Sequence, residues 1–190
     1  MHFQFPKIFC FINAYNKNYI KRLPKNIAII YRNYNKPTNN HEINYIKKIC
    51  KKTNKKFFLS NNFKIALKLG LDGVYIPSFN KELKINYFKK KKKFLILGSA
   101  HNLKQIREKE KQNVNLIFLS PVFEVKKSKN FLGIHEFNKL SNYTNKKIIS
   151  LGGLKKNNLN KIKMLNSHGF SSVSLFKQNI KYIRLNEKFF

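Results

Sequence analysis

Cysteines and long apolar runs are scarce in this sequence, and each shortage excludes a class of protein. The two cysteines, Cys10 and Cys50, are far apart and form no C-x-x-C motif. We therefore expect free buried thiols in a reducing compartment, not a disulfide framework. No window approaches the roughly 20 apolar residues of a membrane helix. Polar residues and a proline also interrupt segment 1–19, which is unlike a signal peptide. These features predict a cytoplasmic protein with no membrane partner.

Acidic residues are also scarce, because 8 Asp and Glu residues stand against 40 Lys and Arg residues and the formal net charge is +32. One interpretation is a nucleic-acid-binding surface. The other is compositional drift, in which a low-GC genome places lysine on a solvated surface. Drift is favoured because the lysines are spread from Lys7 to Lys188 and arginine, whose planar fork suits phosphate and guanine, is rare. We expect no specific nucleic-acid partner, only a salt-sensitive attraction to polyanions.

The length of 190 residues and the hydrophobic share of 42% predict one folded domain, 1–190, with a substantial core. Short apolar runs predict eight buried strands, at 8–12, 27–31, 57–59, 73–76, 94–97, 116–119, 147–151 and 172–175. Helical segments are predicted between them, at 16–23, 41–52, 63–69, 78–88, 102–112, 134–140 and 157–167, with a last helix after Lys177. Asn62 and Asn102 are the expected caps of the third and fifth of these segments.

Strict alternation of strands and helices predicts an α/β protein with a parallel sheet. Eight units favour a compact (β/α)8 TIM barrel, and a doubly wound open sheet is the alternative. In a barrel the functional residues lie in the loops after the strands. Asp72, the only aspartate, precedes the fourth strand and is expected at the opposite, stabilising face.

Glycine is scarce as well, with seven in the chain, yet Gly98, Gly152 and Gly153 fall at the loops where predicted strands end. This placement predicts backbone flexibility where a ligand would approach. A strand that stops at Gly-Gly before a helix can turn backbone N–H groups outward and hold a phosphate. An ordinary tight turn is the alternative for Gly152–Gly153, since a Gly-rich turn alone is a weak motif.

Four segments in this order resemble the thiamine-phosphate synthase/TenI family: 57–76 (FFLSNNFKIALKLGLDGVYI), 97–108 (LGSAHNLKQIRE), 119–133 (LSPVFEVKKSKNFLG) and 148–154 (IISLGGL). They are similar to the family's Asn-Asp-Arg turn leading to G-A-D-G-V-H, and to S-x-H, G-P-V-F-x-T-x-T-K and I-G-G-I. The resemblance implies a (β/α)8 barrel of thiamine biosynthesis. The synthase joins hydroxymethylpyrimidine diphosphate to thiazole phosphate and releases pyrophosphate, whereas the TenI branch includes a thiazole tautomerase.

The resemblance also implies a phosphate and metal site in which two carboxylates are missing. Arg32 matches an arginine that contacts the diphosphate, and Tyr34 stands where a lysine is expected. Ser60–Asn61 aligns with the family's Asn-Asp pair, and Asn80 with its second metal-binding aspartate. Mg²⁺ prefers charged oxygen ligands, so both metal positions are degenerate and Mg²⁺ use is doubtful.

Further site residues follow from the same resemblance. Ser99 and His101 match S-x-H, and His101 is either a proton shuttle or a loop histidine bonded to the barrel rim. The family lysine after the sixth strand corresponds to Lys127 or Lys129, and Lys177 replaces a serine after the eighth strand. Gly152–Gly153 matches the turn for thiazole phosphate.

Three functions remain open. The first is a divergent thiamine-phosphate synthase, whose partners are the phosphorylated thiazole and the pyrimidine diphosphate. The second is a TenI-like tautomerase or another metal-free barrel enzyme. The third is a non-catalytic phosphate- or nucleic-acid-binding barrel. The sequence leaves the oligomeric state undetermined.

Overall fold

A computed structural model describes residues 4–34, 37, 39–88, 91, 93–125, 130–173 and 175–176. Eight parallel strands follow one another around a closed barrel, and β1 pairs with β8 to complete it. The strands are β1 (Ile8–Ile12), β2 (Ile27–Tyr31), β3 (Phe57–Ser60), β4 (Gly73–Ile76), β5 (Leu95–Ala100), β6 (Leu116–Leu119), β7 (Lys147–Leu151) and β8 (Gly169–Ser172). The predicted (β/α)8 barrel is confirmed, and the open-sheet alternative is excluded.

Helices connect the strands, and asparagine begins most of them. The α-helices are α1 (Lys17–Arg22), α2 (Asn40–Lys52), α3 (Phe63–Lys68), α4 (Leu103–Lys111) and α5 (Gly133–Asn142), and 3-10 segments span Lys84–Tyr87 and Lys156–Met164. The side-chain oxygen of Asn62 accepts from the amide of Ile65, and that of Asn102 from the amide of Gln105. Each bond satisfies an amide that the first helical turn leaves without a partner, which confirms the two predicted caps.

Aromatic rings fill the barrel interior. The ring centroids of Phe9 and Phe118 lie 4.9 Å apart, and those of Phe11 and Tyr75 lie 5.1 Å apart, both edge to face. The inner cluster comprises Phe9, Phe11, Ala28, Ile30, Phe58, Tyr75, Leu95, Leu97, Leu116, Phe118 and Ile149. The alternate strand residues, many of them isoleucine, face outward against the helices. The barrel interior is therefore a packed core and not a pore.

The last strand begins three residues earlier than predicted. β8 is Gly169–Ser172, whereas apolar content favoured 172–175. Gly169 lies so close to the Lys7 backbone that any Cβ there would overlap the Lys7 carbonyl. The Ser171 hydroxyl donates to the Phe9 carbonyl at 3.0 Å. A glycine and hydrogen-bonded serines thus form a strand with little apolar content.

Two predicted helices are 3-10 segments instead. The segment predicted over 78–88 is helical only at Lys84–Tyr87, because the Asn80 side chain accepts from the Glu82 amide at 2.8 Å and forms a local turn. The helix predicted over 157–167 is the 3-10 segment Lys156–Met164. The predicted final helix lies outside the described residues.

The face at the amino ends of the strands is structural. Asp72 accepts from the Phe57 amide at 2.9 Å and from the Lys56 ammonium at 2.8 Å, as expected for its position before β4. Cys10 and Cys50 are buried and form no disulfide in the described part of the chain. In the described part of the chain, no helix combines the length and the apolarity that crossing a membrane requires.

Candidate active site at the barrel mouth

Arg32 directly follows β2 and lies at the carboxyl-end mouth of the barrel. Its guanidinium carbon is 4.4 Å from the centre of the Phe11 ring, a cation–π arrangement that fixes the side chain over the filled interior. Among the described residues, no Asp or Glu forms an ion pair with it. The positive charge of Arg32 is therefore available to an anion that enters the mouth.

Tyr75 and Ser99 form the floor of the mouth beneath Arg32. Both are buried, and Ser99 lies close enough to Tyr75 to influence the pKa of its hydroxyl. Burial raises the pKa of Tyr75 to about 12, although Ser99 and the charge of Arg32 act in the opposite direction. Tyr75 is therefore a neutral hydroxyl at physiological pH. The sequence interpretation missed Tyr75, since the run Gly73–Ile76 is buried throughout and shows no alternation.

Asn61 and Asn80, the two degenerate metal positions, are hydrogen-bonded to each other through their side chains. The Asn80 amide nitrogen donates to the Asn61 side-chain oxygen at 2.7 Å, and Asn61 adopts a left-handed backbone with φ of 56°. Beside them the hydroxyls of Tyr34 and Ser60 are 2.8 Å apart. The resemblance thus selected residues that are neighbours in space, although they come from the loops after β2, β3 and β4.

This donor set does not fit a Mg²⁺ site. The side-chain oxygen of Asn61 accepts from Asn80, and that of Asn80 accepts from the Glu82 amide. Both side chains are neutral, whereas Mg²⁺ sites in proteins usually contain one or two carboxylates in near-octahedral geometry. In the described part of the chain, no group of three His, Cys, Asp or Glu residues could hold a metal ion.

His101 is exposed at the rim after β5. Its Nδ1 lies 2.7 Å from the Ser120 carbonyl oxygen and 3.3 Å from the Ser120 hydroxyl. Because a carbonyl only accepts, we assign the neutral ring's proton to Nδ1, which leaves Nε2 as the basic atom. The bond to the rim and the capacity for proton transfer are therefore compatible.

The Gly152–Gly153 turn is closely packed against the loop after β6. Its φ values are 94° and 71°, a left-handed conformation that favours glycine. A Cβ on Gly152 would lie 2.8 Å from Pro121 Cβ, and one on Gly153 would overlap the Phe123 carbonyl. The turn is thus tight, as one alternative held, and whether it holds phosphate stays a prediction.

Gly98 does not belong to the mouth loops. It lies within β5, where a Cβ would point outward and come 2.9 Å from Lys109 Cδ. The expectation that Gly98 frees the backbone for a ligand is wrong, because this glycine makes room for a helix side chain. Three predicted phosphate ligands, Lys127, Lys129 and Lys177, lie outside the described residues.

Among the described residues, the mouth offers the fixed cation of Arg32, neutral hydroxyl donors and a histidine at the rim. Arg32, Tyr75 and Ser99 form one group, and the Asn61–Asn80 pair forms the neighbouring side. This arrangement can neutralise an anion and supply hydrogen bonds to it.

Comparison with known proteins gives a consistent result. A family model described as thiamine monophosphate synthase matches residues 21–176. Thiamine-phosphate synthases from two strains of Prochlorococcus marinus are 33% identical over 60% of this chain and 31% identical over 70% of it. These alignments cover 34% and 38% of the relatives, so the chain spans about a third of their length.

A solved structure supports the fold. The thiamine phosphate pyrophosphorylase from Pyrococcus furiosus aligns with a TM-score of 0.77 over 96% of both chains, at 16% identity. Identity this low shows the fold alone, and the family model, which matches most of the chain, carries the assignment. The protein therefore belongs to the thiamine monophosphate synthase family.

Proposed function

We propose that this chain is a thiamine-phosphate synthase that joins hydroxymethylpyrimidine diphosphate to thiazole phosphate and releases pyrophosphate. The observation that carries the proposal is the Arg32 guanidinium, held over Phe11 at the mouth with no carboxylate partner among the described residues. Family membership and the names of the relatives support the same reaction.

In this reaction, the group that needs charge stabilisation is the departing diphosphate. A bond forms between the thiazole nitrogen and the methylene carbon of the pyrimidine, while the bond from that carbon to the diphosphate oxygen breaks. The electron pair leaves with the diphosphate, so negative charge grows on the leaving group. A fixed cation stabilises such charge without reorganisation. Arg32 fits this role, and the Tyr75 hydroxyl supplies a neutral donor beside it.

The thiazole phosphate is assigned to the opposite side of the mouth. Gly152–Gly153 lies between β7 and the 3-10 segment Lys156–Met164, where backbone N–H groups can face an anion. Lys127 or Lys129, and Lys177, are proposed as additional cations for the phosphates. The two phosphorylated substrates would then meet above the filled interior.

Calorimetric titration with pyrophosphate and with thiazole phosphate, each with and without Mg²⁺, tests the ligand assignment. We expect both to bind, and pyrophosphate binding to persist in EDTA, because the protein offers Mg²⁺ only neutral amides. Binding of thiazole phosphate without any binding of pyrophosphate would contradict the synthase assignment. Binding of neither ligand would remove the thiamine assignment altogether.

Restoring the two carboxylates is expected to create a metal site. The double variant Asn61→Asp/Asn80→Asp should bind Mg²⁺ roughly tenfold more tightly or better, since ligand charge sets divalent-cation affinity. Calorimetry with MgCl₂ measures the change. The control Asn62→Asp/Ser78→Asp adds the same charge to the same two loops. Equal gains in both double variants would show a general charge effect and no site.

A thiazole tautomerase is the second candidate, and the geometry of His101 favours it. The Ser120 carbonyl fixes the Nδ1 proton and leaves Nε2 basic, which suits one acid–base group moving a proton. If His101 performs this step, His101→Ala should lower tautomerase turnover about 100-fold, while His135→Ala, on α5, should leave it unchanged. Equal turnover in the two variants would exclude the role of His101.

A further inference from the structure

Lys109 is a fully buried lysine on the side of α4 that packs against the barrel, with 0% of the residue exposed. Its ammonium donates to the carbonyl oxygens of Pro77 at 2.9 Å and Asn80 at 2.7 Å. The third donor goes to the Gln112 side-chain oxygen at 2.8 Å. Three donors therefore meet three acceptors, and two of these belong to the loop after β4, residues 77–82.

Gln112 extends the same set of bonds. Its amide nitrogen donates to the Asn80 carbonyl at 3.0 Å and to the Glu82 carbonyl at 3.1 Å. Lys109 and Gln112 together thus bind three backbone carbonyls of one loop. We call these two side chains the loop clamp. Satisfied buried polar networks of this kind fix a single conformation.

Gly98 provides the space that the clamp needs. An alanine Cβ at this position of β5 would lie 2.9 Å from Lys109 Cδ and 2.9 Å from Val114 Cγ1. The aliphatic stem of Lys109 therefore passes over a strand position without a side chain before it reaches the loop after β4. The absence of a side chain at Gly98 therefore allows Lys109 to reach the loop.

We propose that Lys109 is a positioning residue that holds the loop after β4 so that Asn80 stays bonded to Asn61 at the mouth. The bond between these two amides is 2.7 Å, and it joins the loop after β4 to the loop after β3. The Lys109 ammonium thus holds in place the part of the rim where the family pattern has two metal-binding aspartates. The role of Lys109 in positioning the loop is independent of the proposed function. The expected effect of Lys109 on ligand binding rests on the proposed function.

The protonation of Lys109 agrees with this role. Burial lowers the pKa of Lys109 to about 8, and the Glu108 charge acts in the opposite direction. The ammonium form, with all three donors, therefore still predominates at pH 7.

Hydrogen exchange in Lys109→Met tests the position of the loop. We expect the amides of Asn80 and Glu82, which bond within this loop, to exchange about tenfold faster than in the unsubstituted protein. The Phe123 amide, bonded to Gly152 on the other side of the mouth, should change less than twofold. Lys104→Met, an exposed change on the same helix, should leave all three amides unchanged.

Gly98→Ala displaces the lysine stem without removing its charge. It should accelerate exchange at the same two loop amides by about threefold, and it keeps the test available if Lys109→Met does not fold. Uniform acceleration at all amides, or none at Asn80, would overturn the proposal.

Ligand affinities separate positioning from a general loss of stability. In Lys109→Met we expect pyrophosphate to bind about tenfold more weakly because the rim that carries Asn80 moves. Thiazole phosphate, assigned to the Gly152–Gly153 side, should keep its affinity within twofold. Equal losses for both ligands would overturn the positioning role. If the unsubstituted protein binds neither ligand, the proposed function fails, and hydrogen exchange still decides the role of Lys109.

Discussion

Replacing Gly153 with alanine is expected to lower the free energy of unfolding by about 3 kcal/mol, through backbone strain and overpacking. The φ of Gly153 is 71°, and an added Cβ would overlap the Phe123 carbonyl and lie 2.7 Å from the Glu124 carbonyl. Backbone atoms cannot move aside as a flexible side chain can. Urea unfolding monitored by circular dichroism measures the loss.

Gly70→Ala is the matched control for this prediction. Gly70 has a φ of 58°, yet no atom lies within 4 Å of the position of its Cβ. Left-handed strain alone costs about 1 kcal/mol. The difference between the two variants therefore measures the contact with the loop after β6. Equal losses would show that this contact does not constrain the turn.

Arg32→Ala should lower kcat/KM for the pyrimidine diphosphate about 100-fold, as removing one preorganised charge donor does in other enzymes. The guanidinium is fixed over Phe11 and has no carboxylate partner in the described part of the chain. Its loss removes a cation that is assigned to stabilise the negative charge growing on the departing diphosphate. Steady-state kinetics of pyrophosphate release measures the effect.

Two further variants define what Arg32 contributes. Arg32→Lys keeps the charge but loses the planar fork, so we expect it to recover only part of the activity. Arg22→Ala removes the same charge from the exposed last turn of α1 and should change kcat/KM less than twofold. Unchanged pyrophosphate affinity in Arg32→Ala would contradict the assignment of the diphosphate to this side of the mouth.

Most of the barrel was predictable because its strands are short apolar runs between polar helices. β1 and β2 have the predicted bounds, since full burial in a parallel barrel leaves a nearly continuous apolar signal. β8 was misplaced because Gly169, Ser171 and Ser172 carry no such signal and pair through hydrogen bonds and a close backbone approach. The segment 78–88 was predicted as one helix because apolar spacing does not register the turn that the Asn80 side chain forms with the Glu82 amide.

The site was predictable only in part. The resemblance led to Arg32, Asn61 and Asn80, but their mutual contacts depend on the closed barrel. Lys109 was not predictable, since it lies in an alternating acidic and basic stretch that is typical of a solvated helix. The burial of Lys109 depends on Gly98, which lies in β5 and was predicted to belong to a loop at the mouth.

Product formation from the two substrates tests the proposed synthase reaction itself. Hydroxymethylpyrimidine diphosphate and thiazole phosphate are mixed with the protein, and thiamine phosphate and pyrophosphate are quantified over time, with Arg32→Ala as the control. We expect equal amounts of the two products and a rate about 100-fold lower in the variant. Two substrates that bind but remain intact would contradict the synthase assignment and favour the tautomerase.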